Sequence, residues 1–213
     1  MWSPVVLFRY WLFQGMGYMN WLERLHRLTL EFFFATLVWV LLSQMISGIW
    51  CIFWTLFIAH TASMVFNGHL FALFKHDLYW FGFYKHWEDF ANYIVKIQLR
   101  LNHRPCAGLN RAEIYGSLTR GRFSDSSDLD LRFIAAPGFK NGWLVAHRVF
   151  EERLRAFFKG FPMDIYMFHS EDELARKMDL SREKPIVIFQ SGQSGEFTSF
   201  NEIIQPLRNA SND

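Results

Sequence analysis

The sequence predicts an α/β domain, a small mixed sheet with flanking helices, preceded by an all-α membrane hairpin. Three observations predict it. Residues 32–66 run almost without charge. Residues 128–133 alternate polar and apolar with period two, as a half-buried strand does, and 161–168 reads as a second, more apolar strand. Residues 87–103 and 141–158 carry apolar side chains at helical spacing. Of 213 residues, 51% are hydrophobic and 19% aromatic, and both excesses sit in the first 87. The chain therefore divides into a membrane-associated region over 1–86, an α/β domain over 87–190 and a polar tail over 191–213.

Met1–Leu30 is rich in Trp and Tyr and carries Arg9, Arg24 and Arg27. It reads as an interfacial helix with snorkelling arginines. As one helix, 32–66 would be about 52 Å long at about 1.5 Å per residue. That exceeds a hydrocarbon core of about 30 Å. Ser47-Gly48 is the expected break, giving a hairpin of two helices of about 16–18 residues, near the lower limit for spanning. A re-entrant pair or a buried core hairpin are the alternatives. The run is too long, and starts too far from Met1, for a signal peptide. His60, Asn67, His69 and Gln44 read as interface-level or hydrogen-bonded polar groups. Leu70–Trp87 is a second aromatic flank, with Lys75 and Lys85. Positive charge on both flanks places both in the cytoplasm, with two spans in the cell membrane and the α/β domain cytoplasmic. The aromatic surfaces at 1–30 and 70–87 predict contact with membrane lipid, a membrane protein partner or a second copy of the chain.

In the α/β domain, 87–103 is an amphipathic helix with Phe90, Ile94, Ile97 and Leu101 on one stripe, ended by Arg104-Pro105. Residues 112–116 are a strand and 117–121 the start of a helix. Residues 141–158 form a second amphipathic helix, with Trp143, Ala146, Phe150, Leu154 and Phe157 inward and Gly160 as its stop. Asp172–Met178 is a short helix and Pro185–Phe189 a last strand. A net charge of +2 argues against a nucleic-acid platform. The two cysteines, Cys51 and Cys106, have neither metal-ligand spacing nor a disulfide framework, which fits a reducing compartment. The scattered histidines 76, 86, 103, 147 and 169 read as surface or satisfied core groups.

The chemistry is concentrated in Gly116-Ser117-Leu-Thr-Arg120-Gly121-Arg-Phe-Ser-Asp-Ser-Ser-Asp128-Leu-Asp130-Leu131. Gly116 has no Cβ and lets the backbone approach a ligand. Ser117 adds a hydroxyl donor where backbone N–H groups attract anions. Asp128, Asp130 and Arg132 share one strand face, with the carboxylates about 6.8 Å apart along the axis. Magnesium takes hard oxygen ligands, few protein carboxylates and substrate phosphates for the rest. Asp164, in an otherwise apolar strand, costs several kcal/mol unless it is paired or bound to metal. Together the three aspartates would hold two Mg²⁺ ions, with Asp164 a third ligand or the general base for an incoming hydroxyl.

Gly116, Ser117, Arg120, Gly121, Ser127, Asp128, Asp130 and Leu131 resemble, in type and spacing, the minimal stand-alone nucleotidyltransferase domains of the DNA polymerase beta superfamily. The resemblance covers about 87–190. Leu118-Thr119 departs from it, since those domains often have Arg-Ala there. It implies a nucleotidyltransferase fold, NTP as substrate and Mg²⁺ or Mn²⁺ as cofactor. Gly116 and Ser117 would hold the β- and γ-phosphates, Arg120 would have a structural or phosphate-binding role, and Asp128, Asp130 and Asp164 would form the metal site. The implied reaction moves a nucleoside monophosphate to a hydroxyl or phosphate of a lipid-linked or cell-surface glycan precursor and releases pyrophosphate. Addition of AMP to a membrane partner protein, or a non-catalytic nucleotide-binding regulatory role, are the alternatives.

Overall fold

The protein is described by a computed structural model covering residues 4–66, 85–178 apart from Gly121 and Asp125, and 185–192. The aromatic flank at 70–84 with Lys75, together with Asn67, His69, His76, Gly121 and the tail from 193 onward, lies outside the described residues. The N-terminal region has three helices, α1 (Pro4–Phe13), α2 (Trp21–Leu42) and α3 (Ile49–Phe66). The single interfacial helix expected over 1–30 is thus two helices joined by a turn, with Gly15 at φ 74°. Asn20 caps α2, its side chain accepting from the Glu23 N–H at 2.8 Å.

α2 begins eleven residues before the apolar run and has 22 residues, about 33 Å at about 1.5 Å per residue. The expected first helix of 16–18 residues is therefore too short. α3 has 18 residues. The break between them starts earlier than Ser47: α2 stops at Leu42, and turns through Ser43 lead to Gly48 at φ 69°, where a side chain would be strained. Both helices are long and apolar enough to cross a membrane. Among the described residues only 11% of the apolar window of α2 and 28% of that of α3 is buried, less than the core helix of a soluble protein shows. Phe32, Phe33, Trp39, Trp50 and Phe57 point outward, and such an apolar surface needs a cover other than water.

The remaining described elements are α4 (Trp87–His103), β1 (Leu109–Tyr115), β2 (Leu129–Ala135), α5 (Phe139–Phe158), β3 (Met163–Phe168), α6 (Glu171–Lys177) and β4 (Ile186–Gln190). The four strands make one mixed sheet in the order β3-β2-β1-β4. β1 is antiparallel to β2 and β4, and β2 is parallel to β3. The fold is mixed α/β, as the sequence predicts. The helix expected at 117–121 is instead a run of turns. The Arg120 N–H donates to Gly116 O at 3.3 Å, the Arg122 N–H to Ser117 O at 2.9 Å, and the Thr119 hydroxyl to Gly116 O at 3.1 Å. The hydroxyl competes for the carbonyl a helix would use, and no second turn follows.

Period-two alternation divides the sheet into two faces. Ile114, Leu129, Leu131, Phe133, Ile165 and Met167 pack with Phe90, Ile94 and Ile97 of α4 and Val145 and Val149 of α5. On the other face, Tyr115, Ile134, Tyr166 and Phe168 form a smaller cluster with Met19 and with Leu174 of α6. β3 is an edge strand, and the start of α2 covers its free side. Glu23 Oε2 accepts from the Met167 N–H at 3.0 Å, and the Asn20 side-chain amide donates to Met167 O at 3.2 Å. Arg153 of α5 donates to Ile165 O and pairs with Glu23 Oε1 at 2.5 Å. Leu22 enters the main core, 1% exposed.

Candidate functional site

The second sheet face carries two rows of side chains set by strand register. Tyr115, Asp130 and Asp164 are partners across β1, β2 and β3, and the next row is Glu113, Arg132 and Tyr166. Neighbouring strands lie about 4.8 Å apart, so register brings Asp130 and Asp164 side by side. Both are about one-fifth exposed, at 22% and 21%.

Arg132 closes the pair. Its Nη2 donates to Asp130 Oδ1 and Asp164 Oδ2 at 3.1 Å each, and its Nη1 donates to Asp164 O at 2.8 Å and Leu131 O at 2.9 Å. Burial opposes the guanidinium's charge, but Asp164 and then Asp130 outweigh it, and the pKa stands above its ordinary value. The ring of Tyr166 lies 5.3 Å from the Arg132 guanidinium and the same distance from that of Arg153. Burial, with the Asp164 charge next in size, pushes the Tyr166 phenol well above its usual range.

Gly116 follows β1 directly, at φ 84°. A Cβ there would stand 1.9 Å from Asp130 Oδ2, so only glycine lets this carboxylate rest against the turn. Ser117 comes next. Its Oγ is buried and has no hydrogen-bond partner among the described residues, an unsatisfied donor of the kind folded proteins rarely leave. Arg120 is exposed on the same turn. Asp128 is half-buried and precedes β2 by one residue, after a loop closed by Ser127 N–H to Ser124 O at 2.8 Å and Ser124 N–H to Ser127 Oγ at 3.0 Å.

Of the residues singled out from sequence, the fold brings Asp130, Asp164 and Gly116 together, with Ser117 adjoining. Among the described residues no group of three or more His, Cys, Asp or Glu is placed to hold a metal ion. Two neighbouring carboxylates plus substrate phosphates are ligands that magnesium commonly takes, but Arg132 Nη2 already bridges Asp130 Oδ1 and Asp164 Oδ2, so an ion between them would have to displace the guanidinium. Arg132 was legible only as a neighbour of the acids on one strand face. Its clamp across two strands depends on the β2–β3 register, which one sequence does not state. Arg153 carried a faint signal, an arginine three residues after Phe150 on the inward side of an amphipathic helix. No protein-family model, no curated protein and no solved structure matches the chain.

Proposed function

We propose that this protein is a membrane-anchored nucleotidyltransferase that moves a nucleoside monophosphate from an NTP to a hydroxyl or phosphate of a lipid-linked or cell-surface glycan precursor, releasing pyrophosphate. The observation that carries the reading is the convergence at one end of the sheet of the Gly116 turn, the unsatisfied Ser117 hydroxyl and the Asp130–Asp164 pair. In this reading Gly116 lets the phosphate chain approach the backbone and Ser117 Oγ donates to a β- or γ-phosphate oxygen, with Arg120 at the rim. Asp130 and Asp164 would hold Mg²⁺, which when bound neutralises triphosphate charge; Asp128, at the loop before β2, is not grouped with them as a third ligand. The acceptor oxygen bonds to the α-phosphorus as the bond to the β-phosphate oxygen breaks. Arg132 already donates to Asp164. Asp164 serves as a further metal ligand or as the general base that takes the proton of an acceptor hydroxyl. The hairpin spans the cell membrane with both flanks on the cytoplasmic side, where NTP is found.

Membranes containing the protein, incubated with radiolabelled NTP and Mg²⁺, test this. Label in the organic extract is the expected result, and Asp130→Asn should abolish it. Label on a protein band would move the acceptor to a membrane protein. Undiminished transfer by Asp130→Asn would refute the site.

A further inference from the structure

On the far side of the sheet from Asp130 and Asp164, α4, its C-cap and α5 form a half-open cavity of about 210 Å³ lined by Leu99, Arg100, His103, Arg104, Arg148 and Arg155. We propose that this cavity is a binding site for a phosphoryl anion, distinct from the site on the opposite sheet face. Charge is the first argument. Among the described residues, the acids paired with these four arginines are Glu151 and Glu152. Arg100 Nη2 lies 2.5 Å from Glu152, and Arg148 Nη1 and Arg155 Nη2 lie 3.0 and 3.6 Å from Glu151. Glu152 is fully buried, so its charge is consumed within the cluster, and positive charge remains in excess.

Satisfaction is the second argument. Arg148 is only 9% exposed. Its Nε and Nη2 make no hydrogen bond among the described residues, although Nη2 lies 3.2 Å from Glu152 Oε1. Arg155 Nε is likewise buried and unsatisfied. Both guanidiniums are thus ion-paired with glutamates, Arg155 Nε lying 3.9 Å from Glu152 Oε1, but several of their N–H groups lack a well-aligned acceptor, and a guanidinium's planar fork matches the oxygens of a phosphoryl group. Arg155 lies two residues before Phe157, whose ring meets Phe66 at the end of α3 at 5.9 Å. A lipid headgroup is therefore one source of the anion and a soluble phosphate compound the other.

The full-length protein in detergent with EDTA is titrated with inorganic phosphate by calorimetry. Retention of phosphatidic acid against phosphatidylcholine is measured in parallel by native mass spectrometry. At least one of the two anions should bind, and Arg148→Gln and Arg104→Gln should each weaken it by about tenfold or more. Arg104 caps α4 on the surface, so its variant remains informative if Arg148→Gln misfolds by stranding Glu152. Phosphate binding assigns the site to soluble phosphoryl compounds, and phosphatidic acid retention without phosphate binding assigns it to a lipid headgroup. Binding of neither anion, or binding that both variants leave unchanged, overturns the proposal, and its loss in Ser117→Ala would then place the anion at the opposite sheet face.

Discussion

At the scale of single residues, the candidate site depends on an atom that is absent. Gly116 sits at φ 84°, and a methyl group there would fall 1.9 Å from Asp130 Oδ2. Gly116→Ala therefore has to move either the turn or the carboxylate, at a cost of about 1–3 kcal/mol for a strained backbone position. The proposed nucleotidyl transfer should be lost with it. Chemical denaturation and the radiolabel assay check the two halves separately, and a variant as stable and as active as the parent would refute the close approach. Tyr93 gives a prediction in pH. It packs flat on Phe161, ring centres 4.0 Å apart. Burial, with the charge of Glu152 next, raises its phenol from 10.0 to about 12. A pKa that is higher in the folded state stabilises the fold fully below the unfolded value and loses that contribution as pH rises to the folded one. Stability should therefore fall between pH 10 and about 12, and Tyr93→Phe should remove part of that slope while changing little at neutral pH. An identical alkaline slope in both proteins would contradict it.

At the scale of elements, the unexpected one is α2. Its apolar part was legible, because a charge-free run cannot be mistaken for a surface helix. Its first turns were not. Arg24 and Arg27 read as snorkelling arginines of an interfacial helix, yet Arg27 is 2% exposed, and its neighbours Glu23 and His26 are 2% and 5% exposed. Tertiary packing decides this. An edge strand presents unpaired N–H and C=O groups, and Glu23, Asn20 and Arg153 satisfy those of Ile165 and Met167. The turn at 116–120 was misread for the opposite reason, a local one: Gly116 O is shared by the Arg120 N–H and the Thr119 hydroxyl, and the Arg122 N–H reaches Ser117 O five residues back, a step longer than the α-helical one. The alternation through Asp130, Leu131, Arg132 and Phe133 carried its own answer, since period two leaves each side chain one face. The edge seal makes a prediction. Glu23→Gln keeps an acceptor for the Met167 N–H but strands the Arg153 charge, where both side chains are 3% exposed. Removing one partner of a buried pair costs about 3–5 kcal/mol. Hydrogen exchange at the Met167 amide should rise together with global instability, and unchanged protection would show that the ion pair does not hold the edge.

For the whole molecule, this docking changes what truncation should do. Sequence alone treats 1–86 as a detachable anchor, so that a chain starting near Lys85 ought to be far more soluble than the full protein. The structure shows instead that Leu22 belongs to the core packed against the sheet, that a Cβ on Gly142 of α5 would touch Leu22 Cδ1 at 2.4 Å, and that Met19 fills the cluster beneath Tyr166 and Phe168. Removing residues 1–84 takes away the apolar hairpin but also uncovers the β3 edge, the Arg153 charge and the faces of Met167 and Tyr166. An open edge beside fresh apolar surface is a template for association. The chain starting at Lys85 should therefore aggregate, whereas one that keeps Tyr18–Leu30 ahead of Lys85 through a flexible linker should stay monomeric. The full protein should remain in the membrane pellet after alkaline carbonate. Size-exclusion chromatography of the two truncated chains decides the matter. A monodisperse monomer from Lys85 onward would mean that the first turns of α2 merely rest on the sheet rather than complete it.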